Sequence, residues 1–375
     1  MVKIIIKSTI LFVPILLVIG ICIAVGLNVG EIYSFNYITR LQSDNREIKY
    51  SIIGSRWDHF SYKSTAINLQ QPKLVLLSSS RGWHFRDYIS NKNPHYFYNA
   101  SVIHASINEL QPMVEEFVQM DNKPEVILLS LDYPDYNADS NFRERSRQLK
   151  LVTYQEHVAD AIKRSILHVL GNPSTILRIF DSQPTQELGW NFVTEDDPDY
   201  YRGDGSYSTN YFTNGVLEQE LPKYMNLIAN GEEQFQYGSA VDETSLESLT
   251  NILRLATEND IDVIGFFPPY HTEILAKLKN NDRYSYMPLA WSSIQQVFEQ
   301  YGLTVYDFSD VRSFGGDDNG MYDGWHPGEL MSTEIYLQLL RNKPEILSEY
   351  SDIDYLVTII QSATDTYHPS LFMMN

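Results

Sequence analysis

Leu74–Trp83 reads LVLLSSSRGW: a short apolar run that passes directly into three serines, an arginine and a glycine. An uninterrupted apolar run of this length, closed by turn residues, predicts a strand buried on both faces, as in a parallel sheet covered by helices. Outward from it, apolar bursts of strand length recur at Lys73–Leu77, Tyr96–Asn99, Glu125–Leu131, Asp262–Phe267 and Leu303–Phe308. Helical patterns lie between them. Thr244–Glu247 fits a capping box, followed at helical spacing by Leu246, Leu249, Leu253 and Ala256. Ile294, Val297, Phe298 and Tyr301 form a second stripe, closed by Gly302 where a helix C-cap falls, and Gln155–Leu170 a third, stopped by Gly171 and Pro173. Strands alternating with amphipathic helices predict an α/β fold, a three-layer α/β/α domain around a parallel sheet.

The serines stand where that fold places ligands, at the carboxyl end of a strand. Far downstream, MYDGWHPG (Met321–Gly328) holds Asp323 and His326 in a D-x-x-H arrangement. A serine hydroxyl is a poor nucleophile at neutral pH until a base takes its proton. A carboxylate close to that base can fix its tautomer and stabilise the imidazolium that forms. Small polar residues also simply make tight turns and cap helices, and Asp323 would equally serve as a turn cap. The order along the chain, strand then serine then D-x-x-H near the end, favours a nucleophile and its base.

The chain has 375 residues and a formal net charge of -20, without a basic stripe, so neither nucleic acid nor an anionic membrane surface is an expected partner. At the N-terminus, Lys3 and Lys7 precede an uncharged run from Ser8 to Gly30, and Glu31 is the first acid. Such a run is long enough to cross a hydrocarbon core of ~30 Å as a helix, with the lysines on the cytoplasmic side and the bulk of the chain outside. The competing reading is a cleaved signal peptide, with Ala24 and Gly26 as the small residues. The single cysteine, Cys22, lies inside this segment, so no disulfide can form within one chain.

These signals divide the chain into an anchor at 1–30, a stalk at 31–72, a sheet domain at 73–345 and a tail at 346–375. The strand–helix alternation breaks between Leu131 and Asp262, which predicts an inserted cap at about 135–240 that includes a tyrosine-rich acidic stretch around Trp190. Its rings could stack on sugars, and Asp196, Asp197, Asp199 and Asp204 could meet calcium, although their spacing is not that of an EF-hand. No histidine pair has zinc-ligand spacing and no phosphate-binding glycine motif occurs, so no metal or cofactor is expected. Pro268, Pro269, Tyr270 and His271 follow a strand and, with Arg81, are expected at a substrate cleft.

Together LVLLSSSR, YFYNASVIHAS, EVILLSLDY, DVIGFFPPYH and the D-x-x-H loop resemble the SGNH (GDSL-like) hydrolase superfamily, over roughly Lys73–Asp132 and Asp262–Leu340. Within it they look most like membrane-anchored SGNH-like proteins of cell-envelope acylation systems. The resemblance implies a flavodoxin-like sheet with Ser80 as nucleophile, His326 as general base and Asp323 as its orienting carboxylate. It implies an esterase or O-acyltransferase on a cell-envelope glycan, working beside a membrane-bound O-acyltransferase. The family's oxyanion hole draws on a glycine and an asparagine, and here His104 and Asp132 stand at those positions, while Ser78 replaces the first glycine of the nucleophile turn. A carboxylate at the asparagine position would repel a developing oxyanion, and losing one hole donor typically costs ~10²–10³ in rate. The alternative is therefore a non-catalytic SGNH-like scaffold that binds polymer or partners the acyltransferase.

Overall fold

A computed structural model describes residues 2–52, 56–142, 151–171, 173, 186–195, 198–209 and 216–363, with backbone alone for 2–11, 56 and 57. In chain order the main helices are α1 (Val2–Asn28), α2 (Phe35–Asp44), α3 (Arg56–Gln70) and α4 (Ile107–Phe117). They continue with α5 (Tyr154–Gly171), α6 (Val216–Asn230), α7 (Glu243–Glu258) and α8 (Thr272–Lys279). The last are α9 (Tyr286–Gln300), α10 (Glu329–Asn342) and α11 (Ile353–Ser362). The chain forms two compact units, Met1–Leu69 with Lys150–Gly203, and Gln70–Leu149 with Asp204–Asn375.

The larger unit is built on five parallel strands: β1 (Leu74–Leu77), β2 (Phe97–Asn99), β3 (Val126–Ser130), β4 (Asp262–Phe267) and β5 (Thr304–Asp307), in the order β2-β1-β3-β4-β5. All five lie where the apolar bursts predict them. The register sets Val75 beside Tyr98 and Ile127, and Leu128 beside Ile264. Leu74, Leu76, Phe97, Val126, Leu128, Ile264 and Phe266 share one face and pack with Ile335, Leu339 and Leu340 of α10 and Leu356 and Ile359 of α11. On the opposite face Gly265 gives its space to the ring of Phe298 on α9, where any Cβ would clash, and α9 packs on α7 and α7 on α4. Strands apolar on both sides thus require helices on both sides, and the unit is a helix–sheet–helix sandwich.

Several boundaries differ from the sequence reading. The helix at 243–258 is capped by Asp242, whose side chain accepts the Ser245 N–H, rather than by Thr244. Gly302 follows α9 at φ +67°, the left-handed conformation expected of a helix-terminating glycine. Residues 346–363 are not a tail: Leu347, Tyr350, Leu356 and Ile359 join the core, and Tyr350 Oη donates to Glu125 at 2.6 Å.

Residues 31–69 are not a stalk either. They carry α2 and α3 and belong to the smaller unit, where Lys49–Tyr50 pairs in parallel with Glu187–Leu188 and antiparallel with Tyr201. Phe35, Tyr50, Tyr62 and Tyr201 form its aromatic centre. The expected cap is divided, because 150–203 joins this unit and 204–240 stays with the sheet; its parts at 143–150, 172, 174–185, 196–197 and 210–215 lie outside the described residues. Trp190 is wholly buried, donating Nε1–H to Ser165 Oγ at 3.0 Å, and so offers no face to a sugar.

The C-terminal turns of α1 are packed as well. Cys22, Val25 and Val29 are buried with Val169 of α5 and Trp190, whereas Phe12–Val18 are exposed all round the helix. Among the described residues, no helix is long and apolar enough to cross a membrane.

Candidate active site

Strand β1 ends at Leu77, and Ser79 caps the single turn of 3₁₀ helix Ser80–Gly82. Gly82 is forced by crowding, since a Cβ there would fall 2.5 Å from Ser78 Cβ and 2.6 Å from Ser101 Oγ. The tight turn holds Ser80 at the carboxyl edge of the sheet. In the order 2-1-3-4-5 the connections leave β1 and β3 in opposite directions, which opens a crevice between those strand ends.

The D-x-x-H loop closes on itself before it meets the serine. Asp323 Oδ1 accepts the backbone N–H groups of Trp325 (2.9 Å) and His326 (2.7 Å), and Tyr322 N donates to His326 O at 3.0 Å. Gly324 makes this fold possible at φ +91°. Asp323 Oδ2 then lies 2.7 Å from His326 Nδ1, and His326 Nε2 lies 3.0 Å from Ser80 Oγ. The imidazole is stacked on Trp83, planes 8° apart and centroids 5.9 Å apart. Burial would push the Asp323 carboxyl up, but the imidazole and the two backbone N–H groups outweigh it and hold the group below the usual carboxylate range. An ionised, oriented Asp323 favours the tautomer with Nδ1 protonated and Nε2 free to accept the serine proton.

The neighbouring residues form a second network. Ser79 Oγ donates to Asp132 Oδ2 at 2.6 Å, and Arg81 Nη1 donates to Asp132 Oδ1 at 3.0 Å. The Arg81 side chain is fully buried; its Nε donates to Trp325 O and its Nη2 to the carbonyls of Pro268 and Pro269. Its guanidinium lies against the rings of both Tyr270 and Trp325, 4.3 and 4.5 Å from their centroids. One arginine therefore joins the loops after β1, β3 and β4 to the D-x-x-H loop.

This network corrects the roles expected for four residues. Asp132 is not an uncompensated carboxylate at the site: it is buried, and its two oxygens are engaged by Ser79 and Arg81. Arg81, Tyr270 and His271 do not line a cleft. Arg81 and Tyr270 are packed on each other beneath the site, and His271 is a buried N-cap of α8 whose Nδ1 accepts the Glu273 N–H. Asp204 is occupied too, accepting from Arg86 Nε, Asp87 N and Ser206. Asp196 and Asp197 lie outside the described residues, among which no cluster of histidine, cysteine or carboxylate could hold a metal ion.

A cavity of about 970 Å³ opens over the serine, lined by Ser80, His326, Trp325, His104 and residues of α6 and the turn after it. His104 is exposed there at φ +53°, the conformation that glycine adopts freely at this position. From α6, Glu220, Lys223, Tyr224 and Asn226 contribute to the wall, and Tyr224 Oη donates to Asp323 Oδ2 at 3.0 Å. Nothing in the sequence marks Tyr224, which meets an aspartate 99 residues away. Trp325 carried a signal, since it lies inside the D-x-x-H segment itself.

The chain matches no family model and no curated protein.

Proposed function

We propose that this chain is an SGNH-like serine esterase or O-acyltransferase, tethered to a membrane through α1 and acting on an acylated cell-envelope glycan. The observation that carries the reading is the relay Ser80–His326–Asp323, at 3.0 and 2.7 Å, beside a cavity large enough for a substrate. Ser80 Oγ attacks the acyl carbonyl carbon as His326 Nε2 takes its proton. The tetrahedral oxyanion collapses, His326 returns the proton to the departing alcohol, and the acyl group stays on Ser80. Water or a second hydroxyl then attacks in the same way, which makes hydrolysis and transfer two outcomes of one machine. The backbone N–H groups of the Ser80 and His104 turns are the donors assigned to the oxyanion.

The glycan is drawn from the family resemblance, and the polar lining of the cavity by Glu220, Asn226 and Gln234 suits a hydroxylated acceptor. The membrane tether draws on Phe12–Val18, FVPILLV, exposed around the whole helix. A membrane-bound O-acyltransferase is the partner proposed. The pairing of Asp132 with Arg81 supports the catalytic reading over a non-catalytic scaffold. The test is labelling of the full chain with a fluorophosphonate probe. Labelling of wild type that disappears in Ser80→Ala is expected, and well-folded wild type that does not label would overturn the assignment.

A further inference from the structure

α5 packs antiparallel to the C-terminal half of α1. Val169 meets Cys22 and Val25, Ser165 lies against Gly26, Arg164 Nε bonds Glu31 at 2.8 Å, and His157 Nε2 is 3.0 Å from Tyr33 O. The C-terminal end of α5 therefore points toward the exposed apolar part of α1. Along its outward side the residues change character in step with this direction. Glu156 and Asp160 are exposed near the start, Lys163 follows, and Leu167 and Leu170 close the helix, each 61% exposed.

Lys163, Leu167 and Leu170 fall at i, i+4 and i+7, on one helical face. Two leucines at this exposure would ordinarily be isolated surface residues. Here the antiparallel packing directs them toward the part of α1 that bears Leu16, Leu17, Val18 and Ile21, all exposed. A helix that runs from acids through one lysine to leucines follows the polarity profile of a bilayer edge: water, polar headgroups, then acyl chains.

We infer that the C-terminal turn of α5 is a second lipid contact, inserted beside α1 so that Leu167 and Leu170 lie among acyl chains and Lys163 at the headgroups. The inference rests on the membrane reading of α1 given above. Leu170 lies seven positions beyond Lys163, a rise of about 10 Å, which matches the depth from headgroup to upper acyl chain. The two helices together would fix the smaller unit against the bilayer in one orientation, which a single helix cannot do.

The lone cysteine makes the test direct. In a Cys22→Ala background, single cysteines at the exposed positions of Leu17→Cys, Leu170→Cys and Tyr154→Cys are labelled with an environment-sensitive fluorophore. The full chain is then reconstituted in phosphatidylcholine–phosphatidylglycerol vesicles with and without brominated acyl chains. Blue-shifted emission and bromine quenching at Leu17→Cys and Leu170→Cys, with an aqueous spectrum at Tyr154→Cys, is the expected result. Quenching at Leu17→Cys alone would overturn the α5 contact and leave the tether standing. No quenching at Leu17→Cys would overturn the tether and this inference with it.

Discussion

Ser79 and Ser80 are adjacent in the chain, yet Ser79 bonds an aspartate directly and Ser80 reaches another only through a histidine. Ser79 and Arg81 turn inward to Asp132, in a buried pocket closed by Tyr270, Trp325 and three carbonyls. Ser80 turns outward to His326 and Asp323 at the floor of the cavity. The inner network pairs its charges in a buried pocket, away from the cavity. The outer one keeps a serine hydroxyl and an imidazole edge where a substrate can reach them. One turn of 3₁₀ helix is enough to send adjacent serines into a buried network and a cavity-lining one.

Breaking the outer network should abolish chemistry without unfolding the protein. Ser80→Ala is expected to lower kcat for a model ester by on the order of 10⁵–10⁶ while the urea midpoint stays within experimental error. Asp323→Asn should cost about 10⁴, through loss of the Nδ1-protonated tautomer. Near wild-type turnover in Ser80→Ala would make the nucleophile assignment wrong, and in Asp323→Asn it would remove Asp323 as the orienting carboxylate.

Breaking the inner network should do the reverse. Arg81→Met leaves Asp132 as an uncompensated buried charge, and loss of one partner of such a pair costs about 3–5 kcal/mol. Urea denaturation should show that loss, with activity falling only as the folded fraction falls. The double variant Arg81→Met with Asp132→Leu should recover much of it, because two apolar groups need no partner. A stable Arg81→Met single variant would mean that the guanidinium does not join the strand ends as the geometry indicates.

How much of this was readable in sequence differs between the two networks for a physical reason. The strands were legible because they are apolar on both faces, and the meeting of Ser80 with Asp323 and His326 because a serine turn at a strand end and a D-x-x-H loop are local patterns. The inner network was not. Arg81 finds its acceptors at Asp132, Pro268, Pro269 and Trp325, which only folding brings together. Asp132 read alone therefore suggested repulsion of an oxyanion, because its counter-charge was invisible. The smaller unit was hidden in the same way. Its strands are two residues long, too short for periodicity, and Tyr50 and Tyr62 find Tyr201 across about 140–150 residues of chain, so 31–69 read as a stalk.

The outer network also carries a pH signature. The Asp323 carboxyl is held below its ordinary range in the folded state, so its ionised form contributes stability that is present above about pH 4, the usual range of an aspartate in an unfolded chain. That contribution is lost as pH falls through the folded value. Acid titration of stability should therefore fall more gently below pH ~4 in Asp323→Asn than in wild type. Identical acid limbs would show that the Asp323–His326 contact is looser than 2.7 Å implies.

The smallest effect is expected where the two kinds of role meet, at Tyr224. Its hydroxyl bonds the same Asp323 oxygen that orients His326, but Asp323 is also held by the Trp325 and His326 backbone N–H groups on its other oxygen. Removing one hydrogen bond of about 1 kcal/mol from a carboxylate with three others should leave the triad in place. Tyr224→Phe is thus expected to lower kcat about three- to tenfold with little change in urea midpoint. A loss beyond 100-fold would make α6 part of the catalytic arm rather than only the wall of its cavity, because the tyrosine would then be setting the position of Asp323 instead of adding to it.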